Sequence, residues 1–244
     1  SHKGEIRNTL LPLSEVAYYQ FSYYPNSEVL NRKVNRHKNF KPWRIALNGG
    51  YSYLTAPLSE NIPSDFESYS KGLKSGHHLG ADISYYFMEY LGLGVKYLHF
   101  NSSATFDGEI FLEDMQGNRI TGKMSDDINI SFFGPTLSTR FFNTNKKNAF
   151  VLNFALGYME YNNNSVLVDN FTMEGGTVGL VYDVGYDMSI SKNLLLGFQL
   201  SLISGVLKEY QVKDGINTTN VALSKKEAEG LGRIDLSVGL RFSK

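Results

Sequence analysis

Residues 233–244 read RIDLSVGLRFSK. Ile234, Leu236, Val238, Leu240 and Phe242 fall on one parity, and Arg233, Asp235, Ser237, Gly239 and Arg241 on the other. Side chains of a strand alternate between its two faces, so this spacing makes one apolar and one polar face. What decides the fold is the medium on the apolar side, a protein core or lipid.

The same alternation runs back through the chain from Trp43. WRIALNGGYSYL (43–54) sets Trp43, Ile45, Leu47, Tyr51 and Tyr53 against Arg44, Ala46, Asn48, Gly50 and Ser52. GHHLGADISYYF (76–87) sets Leu79, Ile83 and Tyr85 against Gly80, Asp82 and Ser84. LGLGVKYLHF (91–100), AFVLNFALGYMEY (149–161), TVGLVYDVGYDMSI (177–190) and LLLGFQLSLISG (194–205) repeat the pattern. INISFFGPTLSTRFF (128–142) changes phase at Phe132-Phe133, with Pro135 nearby. Such a one-residue slip predicts a β-bulge.

With the terminal stretch this makes eight strands of about 10–14 residues. Soluble strands average about 5–6 residues, whereas a tilted strand needs about 9–11 to cross a bilayer. The connectors alternate too. MEY, NTNKKN and SKN are tight, whereas 55–76, 102–126, 162–174 and 209–230 are long. Short turns at one end and long loops at the other are the layout of an outer-membrane barrel, periplasmic below and extracellular above. Inside the second long loop, IFLEDMQGNRITGKM predicts a hairpin turning at Gln116-Gly117-Asn118 and extending the third and fourth strands.

The polar faces are mostly Gly, Ser, Ala and Asn, which suit a narrow interior better than a solubilising surface. The apolar faces carry Leu, Ile, Val and Phe, with Tyr near segment ends, as lipid-facing bands with aromatic girdles do. The reading is therefore all-β: an eight-stranded antiparallel up-and-down transmembrane β-barrel over 43–242. Residues 1–42 are expected to form a periplasmic segment or linker, with LLPLSEVAYYQFSYYP (10–25) able to make one short strand and NSEVLNRKVNRHKNFKP (26–42) polar, basic and without period. The polar faces also carry charges that must meet in the lumen: Arg44, Lys96, Arg140, Arg233 and Arg241 against Asp82, Asp183, Asp187 and Asp235. Unpaired burial of charge costs several kcal/mol, so these residues are expected to form a structural network that plugs the lumen.

Composition removes other classes. Lys+Arg and Asp+Glu both number 24, so net charge is zero and no nucleic-acid partner is expected. There is no cysteine, hence no disulfide or thiolate chemistry.

WRIALNGGYSYLTA, FFGPTLSTRFF and RIDLSVGLRF in succession resemble the small outer-membrane β-barrels of Gram-negative bacteria, similar to the OmpA/OmpX-like eight-stranded type. The resemblance covers about residues 43–242 and implies the bacterial outer membrane as location. It also implies outer-membrane lipid and lipopolysaccharide as surroundings. Phe242 sits where the terminal aromatic read by the barrel-assembly machinery would stand, although Ser243 and Lys244 follow it.

Candidate chemistry is thin. Adjacent His77 and His78 point to opposite faces and chelate poorly. His99 lies on the lipid-facing parity near the outer end, where lipid A deacylases place a His with a Ser two residues on; here that position is Asn101. Asp126 and Asp127 lack calcium-loop spacing, and no Gly-rich loop opens a helix. No catalytic, metal or cofactor site is expected. The leading reading is a non-enzymatic structural or binding protein that meets a protein partner or surface ligand through its long loops, a role that includes accessory subunit of a larger complex. A small channel or transporter for hydrophobic compounds is the alternative, with a lipid A-modifying enzyme behind it. Leu98, Val151, Leu195 and Ile203 lean inward, too scattered in sequence to define a passage.

Overall fold

The computed structural model describes residues 40–56, 64–108, 110–113, 119–215, 217–224 and 229–244. The segment expected over 1–42 lies outside the described residues up to Asn39. In chain order the elements are β1 (Trp43–Leu54), α1 (Ser64–Lys74), β2 (Ser75–Tyr86), β3 (Leu91–Thr105), β4 (Ile110–Glu113), β5 (Arg119–Gly122) and β6 (Met124–Phe142). Then follow β7 (Ala149–Leu167), β8 (Asp169–Ser189), β9 (Leu194–Leu207), β10 (Glu209–Asp214), β11 (Asn217–Ala222), β12 (Glu229–Gly230) and β13 (Arg233–Ser243).

Eight of these strands, β1, β2, β3, β6, β7, β8, β9 and β13, pair antiparallel with their neighbours in chain order. The ring closes where β1 pairs with β13, from Arg44↔Ser243 to Leu54↔Arg233. Closure satisfies both edges of every spanning strand, a requirement in lipid, where an unpaired backbone group finds no water.

Burial is inverted relative to a soluble barrel. Leu79 is 68 % exposed, Leu236 65 % and Phe133 60 %, whereas Lys96 is 1 % and Arg241 0 %. Apolar outside and charge inside answers which medium faces the terminal strand: Leu236, Val238 and Leu240 face lipid. Aromatic side chains ring the exterior near both ends. Trp43 packs on Tyr85 at 4.9 Å near the short-turn end, and exposed Tyr51, Tyr53 and Tyr158 lie toward the other.

The bulge expected at Phe132-Phe133 is absent. β6 pairs with β3 in one unbroken register, Leu91↔Thr139 to Thr105↔Ser125. On its other side Phe133↔Tyr158 and Thr136↔Ala155 belong to the same register of β7, with no inserted residue. The ladder skips only Gly134 and Pro135, where Pro cannot donate and a Cβ on Gly134 would lie 2.6 Å from Gly157 Cα. The apparent phase change has another cause. Ile130 and Phe132 point into the lumen, 1 % and 0 % exposed, because that level of the lumen is apolar.

All four long connectors hold regular structure. Residues 162–174 are no loop: the β7–β8 ladder continues to Leu167↔Asp169 and turns at Val168, which has a φ of 66°. β10 and β11 pair as a hairpin from Glu209↔Ala222 to Asp214↔Asn217 and dock on β8 through Gln211↔Glu174. The β4–β5 hairpin forms, but as its own two-stranded sheet instead of an extension of β3 and β6; its turn at 116–118 lies outside the described residues.

Residues 55–76 hold helix α1. Asp65 and Glu67 in its first turn and Lys71 and Lys74 in its last complement the helix dipole. Glu67 and Lys71 add an exposed pair at 2.6 Å. Ser102 Oγ caps its end, bonding the carbonyls of Leu73 (2.7 Å) and Ser75 (2.8 Å).

Candidate functional site

The lumen is the densest concentration of buried polar chemistry, and it is stratified. Its lower level, toward the short turns, is built by alternate residues of the strands. The register aligns Ala46, Asp82, Lys96 and Gly134 across β1, β2, β3 and β6. Arg44 sits at the centre. Its Nη1 donates to Asp82 Oδ1 at 2.8 Å, and its Nε and Nη2 to the two Asp187 oxygens at 2.8 and 3.3 Å. Lys96 Nζ lies 3.0 Å from Asp183 and 3.8 Å from Asp82. Arg241 Nε lies 3.4 Å from Asp187, in space kept free by Gly197, whose Cβ would fall 2.5 Å from the guanidinium carbon. Asn153 donates to Asp183 at 3.0 Å and accepts from Ser138 at 2.6 Å.

The other two charged residues of the terminal strand sit apart from this cluster. Arg233 bonds both oxygens of its strand neighbour Asp235, at 3.1 and 3.2 Å, and lies 5.2 Å from the Phe100 ring centre. Arg140 meets none of these carboxylates. It stacks 3.7 Å over Tyr86 and donates to the carbonyls of Glu89 (2.8 Å) and Lys41 (2.7 Å). It thus ties the chain entering β1 to the base of the barrel. Apart from Arg140, four cations (Arg44, Lys96, Arg233, Arg241) face four carboxylates (Asp82, Asp183, Asp187, Asp235), all at most 3 % exposed. Balanced charge limits the cost of burying them.

One level up, the lumen is apolar. Leu98, Phe100, Ile130, Phe132, Met159 and Val181 form a cluster with Ala155, Tyr161, Ile203, Leu207 and Leu231. Met159 Sδ fills the space that side chains at Gly179 and Gly205 would occupy. Leu98 and Ile203, dispersed in sequence, belong to this layer, whereas Val151 and Leu195 do not. His78 borders it, bonded to Ser52 (2.8 Å) and Ser237 (2.7 Å).

Above lies the mouth. α1 rests on lumen-facing side chains, with Gly72 against Ala104, and Phe66 stacks on Phe106 at 4.4 Å. Tyr69, 7 % exposed, donates its hydroxyl to Asp126. Asp126 also accepts from Ser165 and from Asn163 at 2.8 Å. Burial first, then the Asp126 contact, push the Tyr69 hydroxyl above the ordinary phenol range.

The structure supplies a contact that linear spacing hides. His99 Nδ1 lies 3.0 Å from Ser131 Oγ on the lipid-facing side, and the register continues from Ser131 to Glu160. A cross-strand partner is invisible to a search along one strand. The order is unfavourable for nucleophilic catalysis, because the acid of a triad must orient the His, and here the Ser lies between the two. Asn101 donates instead to Asp127 (2.6 Å) and Asn129 (3.0 Å). Among the described residues no group of His, Asp or Glu is arranged to hold a metal ion.

The architecture can now be set beside known proteins. No family model matches the chain, and no curated protein matches it. Solved structures do. OprG, an outer membrane protein from Pseudomonas aeruginosa, aligns with a TM-score of 0.53 at 13% identity, covering 84% of this chain and 97% of its own. A major outer membrane protein from Thermus thermophilus aligns with a TM-score of 0.50 at 12% identity, covering 83% and 99%. The chain has the fold of the small outer-membrane β-barrels. At such identities the likeness concerns the fold, and any role must come from this barrel's own residues. The fold and the lipid-facing exterior together place it in the bacterial outer membrane.

Proposed function

We propose that this outer-membrane barrel is non-conducting and non-enzymatic, and that it works as a binding or structural element through its extracellular face. The observation that carries this reading is the lower lumen, where Arg44, Lys96 and Arg241 interlock with Asp82, Asp183 and Asp187 at no more than 3 % exposure. An eight-stranded barrel leaves room for side chains and little else. The continued β7–β8 hairpin, the β10–β11 hairpin and α1 offer a built surface above the membrane for a protein partner or surface ligand, alone or within a larger outer-membrane complex. Phe242, paired with Ile45 and Leu194 in the closing strand, is the aromatic we assign to recognition by the assembly machinery.

Planar-bilayer recording tests the sealed lumen: the purified barrel is expected to add no conductance above background. Steady single-channel steps would overturn the reading. The apolar upper layer favours a second reading, passage of hydrophobic compounds. It predicts faster uptake of a hydrophobic probe by cells carrying the barrel than by cells without it.

A further inference from the structure

A cleft of about 590 Å³ lies where β7 and β8 rise out of the membrane and the β10–β11 hairpin flares beside them. That volume is in the range of small-ligand sites, about 300–1,000 Å³. Gly175 and Gly176 line it without side chains. Tyr158 Oη occupies the space a Cβ on Gly176 would need, so the Tyr158 side chain lies across β8 at that point, 59 % exposed. Tyr161 and Tyr210 add two more phenol rings to the lining.

Three carboxylates join these rings, from Glu160, Glu174 and Glu209. Lys213 pairs with Glu174 at 2.5 Å. Glu160 and Glu209 make no ion pair among the described residues. The cleft is therefore net negative and aromatic. An anion is repelled there. A metal ion is poorly served too, since no His, Asp and Glu group among the described residues is close enough to chelate one. What fits dispersed carboxylates and the open ring face of Tyr158 is a large, weakly hydrated cation, attracted by the ring quadrupole as well as by charge.

We propose that this cleft binds an organic ammonium group, with the face of Tyr158 as platform and Glu160 and Glu209 as counter-charges. The proposal rests on the reading of the extracellular face as the binding surface and names its ligand chemistry.

The test uses the full barrel in a sugar-based detergent free of ammonium groups. Choline is titrated against its uncharged isostere 3,3-dimethylbutan-1-ol, with saturation-transfer NMR as readout. Choline is expected to bind saturably and the isostere at least about tenfold more weakly. Tyr158→Ala lowers affinity about tenfold, whereas Tyr158→Phe, which keeps the ring face, stays within about twofold. Lys213→Ala, which frees Glu174, tightens binding, a gain that misfolding cannot produce. Equal binding of the isostere, indifference to Tyr158→Ala, or loss of affinity in Lys213→Ala would each overturn the proposal. A barrel that stays sealed in bilayers yet ignores choline sinks the cleft alone; one that binds choline but conducts sinks the sealed-barrel reading alone.

Discussion

The lower and upper lumen are made by the same strands on the same inward parity, yet one is an ion network and the other an apolar core. Asp82 and Lys96 share one level with Ala46. The next inward level holds Asn48, Gly80 and Leu98, and the one above it His78, Phe100 and Ile130. The lesson is that "polar inside" holds for every strand only near the base: higher up β3, β6 and β7 turn apolar inward, while β1, β2 and β13 keep Ser52, His78, Asp235 and Arg233 buried there. The difference in chemistry also implies a difference in how each layer fails. The ion layer depends on every partner being present, because an orphaned buried charge is far costlier than a lost contact. The apolar layer loses stability in proportion to the volume removed.

Arg44→Ala should have the largest effect. It takes from Asp82 and Asp187, 2 % and 3 % exposed, their nearest cation at 2.8 Å and leaves Lys96 at 3.8 Å and Arg241 at 3.4 Å; truncating one partner of a buried pair costs about 3–5 kcal/mol. Urea unfolding in detergent, followed by heat-dependent gel mobility, measures it. If Arg44→Ala is no more damaging than an exposed-face change, the ion layer is not the support it is taken to be here. Met159→Ala in the upper layer is expected to cost about 2–4 kcal/mol through its cavity and lost contact with Gly179 and Gly205. Pairing it with Arg44→Ala gives a double-mutant cycle; near-additive losses would show that the two layers act independently.

At the mouth the effects are smaller. Tyr69→Phe removes the hydroxyl held by Asp126 and should cost about 1–2 kcal/mol, with faster amide exchange in α1 as the local readout. The same contact sets a pH response. A hydroxyl whose folded pKa is raised stabilises the folded form fully below the ordinary phenol value of 10.0 and loses that contribution as pH climbs from there through the raised value. Release of α1 should therefore set in above about pH 10 in the native chain and be absent from Tyr69→Phe. The smallest expected change is His99→Ala. Its contact with Ser131 lies outside both layers, so stability should move by less than about 0.5 kcal/mol. Lipid A recovered from membranes carrying the native barrel should keep all its acyl chains; loss of chains that His99→Ala prevents would make the pair catalytic.

The alternation from Trp43 to Phe242 made the strands, their lipid face and the order of short and long connectors legible. Each of those features is written in period two and in segment length, which depend only on neighbours along the chain. The β1 boundaries match the pattern residue for residue. Ile130 and Phe132 are apolar on the inward parity, and polarity along the strand does not reveal that direction, which is set by the level at which Phe132 meets Leu98 and Met159. α1 carries too few apolar residues to stand out, with Phe66, Tyr69 and Leu73 among its eleven residues. The polar run at 162–174 lacks the apolar alternation of the other strands because paired strands above the membrane need no lipid-facing side chains.

The linear sequence determined a closed barrel with lipid outside, because alternation and strand length are local properties that every segment repeats. Only the tertiary structure decided which charge meets which, that Arg140 holds the chain at the base while Arg44 holds the lumen, and that Ser131 comes to His99. It also created the cleft of Tyr158, Glu160 and Glu209. Those contacts join residues of different strands, and their register, set by closing eight tilted strands into one ring, is a property of the whole barrel.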